Sequence, residues 1–147
     1  MRSRGLELEG TMDFQNGFKA IGSYTLMNLE ITKSNGTDLG KTPTNRPRHT
    51  AALWVDYTMR GGMLRGLGMG AGARYIGSTW GDAANTFKVS SVWLADAAIH
   101  YTLDQHWRFA LTATNLLDKE YVGQCGSATT CYYGYRRNIL ATATYRW

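Results

Sequence analysis

The last eleven residues, Arg137-Asn-Ile-Leu-Ala-Thr-Ala-Thr-Tyr-Arg-Trp147, decide which fold the sequence specifies. Apolar side chains occupy every second position: Ile139, Ala141, Ala143, Tyr145 and Trp147. Polar side chains occupy most of the others: Asn138, Thr142, Thr144 and Arg146. Successive side chains of a β-strand point to opposite faces, so this stretch predicts a strand with one apolar face. Aromatic residues at its end are typical of a lipid-facing strand with a polar lumen behind it.

The composition of the chain agrees with a membrane barrel and excludes other classes. Its 147 residues suit one domain, rich in Gly (17), Tyr (9) and Trp (5). No run of 18 apolar residues exists, which excludes a transmembrane helix. The net charge is +5, but the basic residues are scattered and the densest pair is Arg136-Arg137. Without a basic stripe, we expect no nucleic-acid partner.

The same alternation predicts seven strands along the chain. They cover about residues 2–12, 18–30, 48–59, 66–78, 89–103, 107–117 and 135–147. The connections alternate between short ones, at 13–17, 60–65 and 104–106, and longer ones, of which 31–47 and 118–134 are long and 81–88 is intermediate. Outer-membrane barrels have short periplasmic turns and longer extracellular loops. The sequence therefore predicts an all-β, antiparallel up-and-down meander whose longer loops are extracellular.

The two cysteines, Cys125 and Cys131, predict a disulfide inside the last long loop. A zinc site needs about four ligands, and no histidine has ligand spacing near them. A β-hairpin can bring their Cα atoms to about 4.4–6.8 Å, and a disulfide indicates an oxidising compartment. No signal peptide precedes the first strand, because Met1–Glu9 already alternates like one. We therefore expect the chain to be incomplete on its N-terminal side.

No catalytic arrangement emerges from the sequence. Gly68-Met-Gly70-Ala-Gly72-Ala73 fits a loose dinucleotide-binding pattern, but no helical period follows it, so we expect small lumen-facing residues instead. Asp96 and His100 share a strand face about 13 Å apart and should pair with neighbouring strands. We expect no enzyme, no cofactor and no metal site.

Four segments together carry a family resemblance: Arg2–Glu9, Pro47–His49, Ala113–Tyr121, and Cys131–Arg137 with the terminal Tyr145-Arg-Trp147. They resemble the carboxyl-terminal third of a TonB-dependent siderophore receptor, nearest to the ferrichrome-like branch. The resemblance implies that residues 1–147 are part of a 22-stranded outer-membrane barrel whose N-terminal plug domain is absent here. It also implies that ferric-siderophore uptake needs the missing part, through which the TonB complex would be contacted.

The resemblance further implies candidate binding residues, because siderophore receptors of this family hold the ferric ligand with extracellular aromatic side chains. Tyr132 and Tyr133 are the first candidates, and the others are Tyr135, Tyr121, Trp80 and Arg136. Loop packing is an equally open explanation for these aromatic residues. The terminal Tyr145 and Trp147 resemble the signal that the outer-membrane assembly machinery recognises. The implied partners are outer-membrane lipid, ferric siderophore, TonB complex and assembly machinery.

Two other functions stay open at this point. A complete small barrel with a structural or adhesive role would suit the length of the chain. A soluble, secreted β-sandwich that binds a ligand would show the same alternation. An even number of strands and an export signal would support the small barrel, and the sequence shows neither. Against the β-sandwich, several aromatic residues lie near strand ends, where we expect membrane-interface girdles: Tyr57, Tyr75, Trp93, Tyr101, Trp107, Tyr145 and Trp147.

Overall fold

The structure, a computed structural model, describes residues 1–147 and consists of eleven β-strands joined by loops and turns. The strands are β1 (Arg2–Asp13), β2 (Phe18–Glu30), β3 (His49–Thr58), β4 (Leu67–Ile76), β5 (Thr79–Trp80), β6 (Lys88–Val89), β7 (Val92–Thr102), β8 (Trp107–Thr114), β9 (Val122–Ser127), β10 (Thr130–Tyr133) and β11 (Asn138–Tyr145). No element is a helix of the length and apolarity that crossing a membrane requires.

Seven of these strands form one antiparallel sheet in the order β1-β2-β3-β4-β7-β8-β11. The predicted meander is therefore confirmed, and β2 has the predicted bounds. The predicted connections were wrong in one respect, because the 118–134 loop contains the short hairpin β9–β10, and the 81–88 connection is flanked by the short paired strands β5 and β6. Each hairpin is a separate two-stranded sheet at the long-loop end.

Three predicted strand bounds were wrong for identifiable reasons. The strand predicted at 89–103 begins at Val92, because Lys88 and Val89 pair with β5 instead. The strand predicted at 107–117 ends at Thr114, because Asn115 has a φ of 49° and leaves the ladder. The last strand begins at Asn138 rather than 135, after a segment that contacts the β8–β9 connection.

The sheet exposes its apolar face and covers part of its polar face. Leu53, Trp93 and Ile139 share the exposed face, where 55%, 59% and 61% of their surfaces are accessible. The opposite face of β7 carries Leu94 and Asp96, both buried. A soluble sheet buries its apolar face, so this inverted arrangement is that of a sheet whose outer side faces lipid.

Three glycines on the inner face of β4 make room for rings from both neighbouring strands. The Trp54 ring of β3 lies across Gly70 and Gly72, where an added Cβ would overlap it. The His100 ring of β7 lies across Gly68 in the same way. The alternating glycines are thus explained by cross-strand packing, as expected for small lumen-facing residues.

Aromatic pairs on the outer face form two groups near opposite ends of the sheet. At the long-loop end, the Tyr75 and Trp93 ring centroids are 4.8 Å apart. At the short-turn end, Phe18 contacts Tyr57, and Trp107 contacts Phe109 and Tyr145. Eight residues separate Trp93 from Tyr101, roughly 26 Å along β7. This spacing suits an apolar band of about 25 Å between two interface girdles.

The sheet is open, since β1 and β11 pair on one side only. A closed small barrel is therefore not what this chain forms. The β-sandwich alternative is also wrong, because extensive contacts between strands occur only between hydrogen-bonded neighbours and no second sheet covers the first. The fold is a curved segment of a barrel wall.

Candidate functional site

The three long connections, residues 31–48, 77–91 and 115–137, lie together at one end of the sheet and are called the loop rim here. They contain both short hairpins and every candidate ligand-binding residue predicted from the sequence. The short turns 14–17, 59–66 and 103–106 lie at the opposite end. The loop rim is consequently where a binding site can be sought.

Asn115 organises the part of the loop rim that follows β8. Its side-chain amide donates to the carbonyl oxygens of Lys119 and Tyr135, and its Oδ1 accepts the backbone N–H of Lys119. Its own backbone N–H donates to Asp96 Oδ1 at 2.9 Å. Asn115 is buried, and Asp96 is held in turn by Arg74 through two hydrogen bonds. The Asn-Leu-Leu-Asp-Lys-Glu-Tyr block is therefore a structural brace between β4, β7 and the last loop.

Arg136 belongs to the same brace. Its guanidinium forms a bidentate ion pair with the Asp118 carboxylate and a further ion pair with Glu120. The Arg136 hydrogen bonds, with the backbone N–H of Arg137, hold the pKa of Asp118 well below its usual range. The same Asp118 partnership raises the pKa of Arg136. Two carboxylates thus already balance the Arg136 charge, so an anionic ligand would have to compete with them.

The β9–β10 hairpin is closed by a disulfide between Cys125 and Cys131. The two residues are direct cross-strand partners, which brings their Cα atoms to 4.0 Å, below the separation predicted from the sequence. Cys125 is 3% exposed, because this part of the hairpin packs against Gly81 and Asn45 of the other two connections. Tyr132 and Tyr133 follow Cys131 on β10.

The candidate aromatic residues differ in exposure and do not form a ring cluster. Tyr132, Tyr133 and Tyr135 are 57%, 76% and 91% exposed. Tyr121 lies against Gly134, where an added Cβ would overlap its ring. Trp80 lies on β5 with the Lys88 ammonium 5.9 Å from its ring centroid. None of these rings is in a stacked or tilted pair with another, so the structure brings them to one end of the molecule but not into mutual contact.

Two asparagines of the loop rim make contacts that were not predicted from the sequence. Asn45 exchanges two hydrogen bonds with the backbone of Cys125, and Asn85 exchanges two with the backbone of Thr42. Both have a left-handed backbone, with φ of 58° and 57°. Asparagine tolerates this conformation better than most residues. The sequence, however, does not indicate which distant residues Asn45 and Asn85 contact.

On the inner face, Asp96 pairs with Arg74 of the neighbouring strand β4, as predicted. His100 does not pair with a neighbouring strand: its Nε2 lies 3.1 Å from an Asp56 oxygen of β3, because its ring crosses Gly68 of the intervening β4. Nowhere does a group of three or more His, Cys, Asp or Glu side chains lie close enough to hold a metal ion.

Residues 1–116 match the family described as "TonB dependent receptor-like, beta-barrel". The chain belongs to this family. The TonB-dependent receptor resemblance of its motifs is thereby confirmed, and so is the all-β fold as a portion of such a barrel.

Curated relatives of this TonB-dependent receptor chain are siderophore receptors and transporters. The chain is 41% identical to the "Ferrichrome outer membrane transporter/phage receptor" of Escherichia coli K12, over 99% of this chain and 20% of that protein. It is 32% identical to the "Ferrioxamine B receptor" of Salmonella typhimurium, over 99% of this chain and 21% of that protein. The chain thus spans about a fifth of the length of these relatives. The name of the Escherichia coli relative agrees with the predicted location in the outer membrane.

A solved structure has the same strand arrangement. The siderophore receptor PiuA from Acinetobacter baumannii superposes with a TM-score of 0.79 at 27% identity, over 98% of this chain and 22% of that one. The match extends across both the sheet and the loop rim, because nearly the whole chain is covered.

Proposed function

We propose that this chain is part of an outer-membrane receptor that takes up a ferric siderophore with energy from the TonB complex. Residues 1–147 would form the last seven strands of its barrel, with the plug domain and the TonB-contacting segment supplied by other residues. The proposal rests on the family, on the names of the relatives and on the exposed aromatic side chains of the loop rim. No enzymatic activity is proposed.

Tyr132 and Tyr133 are the proposed ligand contacts, with Tyr135, Tyr121 and Trp80 as further candidates. Their exposure carries the proposal, because 57% and 76% of the Tyr132 and Tyr133 surfaces are accessible beside a disulfide-closed turn. Tyrosine is one of the residue types enriched among the few that dominate the binding energy of an interface. Arg136 is a weaker candidate, because Asp118 and Glu120 already pair with it.

Substituting the two tyrosines tests this site. In the intact membrane protein, Tyr132→Ala with Tyr133→Ala should raise the Kd for ferric ferrichrome at least about tenfold, which corresponds to about 1.4 kcal/mol. Ferric ferrioxamine B, titrated in parallel, would indicate which of the two ligands the receptor prefers. The measurement is equilibrium binding to outer-membrane vesicles.

Phe14→Ala is a matched control, since Phe14 is an exposed aromatic residue (53%) at the short-turn end. It should leave the Kd unchanged. A loss under about 1 kcal/mol in the double tyrosine variant, below hot-spot size, would leave these residues a loop-packing role only. Absence of any binding by the unaltered protein would count against both siderophores as substrates.

We also propose that Tyr145 and Trp147 are recognised by the outer-membrane assembly machinery. Trp147 is fully exposed at the chain end, and Tyr145 packs on Trp107 with ring centroids 4.9 Å apart. Tyr145→Ser with Trp147→Ser should lower surface display several-fold. Tyr75→Ser with Trp93→Ser removes the same residue types from the outer face at the other end and should lower display less. Equal display by both double variants would contradict a terminal signal.

A further inference from the structure

Asn45 makes hydrogen bonds to two connections other than its own. Its Nδ2 donates to the carbonyl oxygen of Cys125, and its Oδ1 accepts the backbone N–H of Cys125, both at 2.7 Å. Its own backbone N–H donates to the carbonyl oxygen of Trp80 at 2.9 Å. Asn45 lies between β2 and β3, Trp80 on β5 and Cys125 on β9. One residue therefore joins all three connections of the loop rim.

The packing around these contacts leaves little freedom. Cys125 is 3% exposed, and Gly81 fits beside it so closely that an added Cβ would lie 3.2 Å from the Cys125 Cβ. The same Cβ would also press on the Phe87 ring at 2.6 Å. A buried backbone N–H and carbonyl need hydrogen-bond partners, and Asn45 supplies both for Cys125. Removing the Asn45 amide would leave both groups of Cys125 without these partners.

We infer that Asn45 is a positioning residue that holds the β9–β10 hairpin, the β5–β6 hairpin and the 31–48 connection as one rigid body. The tyrosines of β10 and Trp80 of β5 would then be kept at a fixed separation before any ligand arrives. Preorganisation of this kind lowers the ordering cost of binding. The effect on ligand affinity rests on the proposed function, whereas the rigid body itself does not.

Asn85 provides a matched comparison within the same loop rim. Its Oδ1 accepts the Thr42 backbone N–H and its Nδ2 donates to the Thr42 carbonyl oxygen, both at 2.9 Å. Its φ of 57° is nearly that of Asn45. It joins the 31–48 and 77–91 connections, and its side-chain hydrogen bonds go to Thr42 and Asp82, not to the β9–β10 hairpin. Asn45 and Asn85 thus make the same type of contact on different partners.

The rate at which the disulfide is reduced tests the rigid body without any ligand. Asn45→Gly and Asn85→Gly both keep a left-handed backbone accessible while removing the amide. In outer-membrane vesicles treated with a water-soluble phosphine, Asn45→Gly should speed reduction of Cys125–Cys131 about tenfold, since both hydrogen bonds that hold the Cys125 backbone are lost. Asn85→Gly should stay within about twofold of the unaltered protein.

Asn45→Asp sharpens this test, because it keeps an acceptor for the Cys125 N–H but loses the donor to the Cys125 carbonyl. Its reduction rate should lie between those of the unaltered protein and Asn45→Gly. If the Cys125–Cys131 disulfide were reduced at the same rate in Asn45→Gly and Asn85→Gly, the inference that Asn45 holds the connections as a rigid body would be wrong. Equal surface display of all variants, measured first, ensures that only correctly assembled protein is compared.

Binding of ferric ferrichrome to the same variants tests the positioning role. Asn45→Gly should raise the Kd about tenfold and Asn85→Gly less than about threefold, with an unchanged number of sites. Faster reduction combined with an unchanged Kd would overturn the positioning role. If the unaltered protein bound no ferric ferrichrome, ferrichrome would be ruled out as the ligand. The reduction rates would still test whether Asn45 holds the three connections as one rigid body.

Discussion

The two ends of the sheet are held by different kinds of contact. At the short-turn end, Asp104 accepts the backbone N–H groups of His106 and Trp107, two and three residues away. The 14–17 turn is closed in the same local way by side chains of Asp13 and Asn16. Among the side-chain hydrogen bonds of the turns, that of Arg60 to the Gln15 carbonyl oxygen is the long-range exception. The short-turn end is mostly a product of neighbouring residues.

At the loop rim, the decisive contacts join residues far apart in the chain. Asn45 and Cys125 are 80 residues apart, Asn85 and Thr42 are 43 apart, and Arg136 and Asp118 are 18 apart. Side-chain amides and carboxylates form the hydrogen bonds there that backbone pairing between strands provides within the sheet. A loop end built this way can hold a defined shape, but each contact depends on several segments being in place at once.

The largest expected difference between the two ends concerns two asparagines. Asn115→Ala should lower the free energy of unfolding by about 3 kcal/mol, because three side-chain hydrogen bonds of about 1 kcal/mol each are lost at a buried position. Asn16→Ala at the exposed turn should cost only about 0.5 kcal/mol. Urea unfolding in lipid vesicles measures both. Equal losses would remove the distinction between a braced and a locally closed end.

Two glycines offer a test of intermediate size. Gly134→Ala should cost about 1–3 kcal/mol, since the new methyl group would overlap the Tyr121 ring. Gly61→Ala in the 59–66 turn should change stability by no more than about 0.5 kcal/mol, because no atom lies within 4 Å of its Cβ position. The same urea experiment compares them. A neutral Gly134→Ala would mean that Tyr121 has room to move, which would weaken it as a fixed ligand contact.

The smallest expected effect is a dependence on pH at the loop rim. Arg136 and the Arg137 backbone hold the pKa of Asp118 below its ordinary value, so this stabilisation is present above about pH 4 and is lost as the pH falls through the lower folded-state pKa. Stability should therefore respond to Asp118 only in acid. Asp118→Asn should flatten the urea midpoint against pH below about 4. An unchanged profile would show that other carboxylates dominate.

The same contrast explains what could be predicted from the sequence. Strand alternation identified β2 at its observed bounds, because each face of a membrane strand meets a uniform environment. It also predicted that Asp96 pairs with a neighbouring strand, whereas His100 reaches past the neighbouring β4 to Asp56 of β3. Trp54 over Gly70 and Gly72 was not foreseen, because a ring's partner depends on register and not on its own strand.

The loop rim could be predicted only in outline. The disulfide could be predicted because two cysteines allow only one pairing. The β5–β6 hairpin could not be predicted, because Val89 continues the alternation of β7 although Ser90 and Ser91 separate it from that strand. Asn45 carries no periodic signal, and its partner lies 80 residues away. Contacts of this kind become apparent only when the fold brings the segments together.

The parity of the sheet has a consequence for any barrel that it joins. A meander of seven strands starts and ends with strands running in the same direction, so β1 and β11 are parallel although neither pairs with the other. A second copy in the same membrane orientation would therefore meet β11 with a parallel β1 and could not continue the antiparallel ladder. Whatever closes this wall must contribute an odd number of strands, with both its outer strands running opposite to β1.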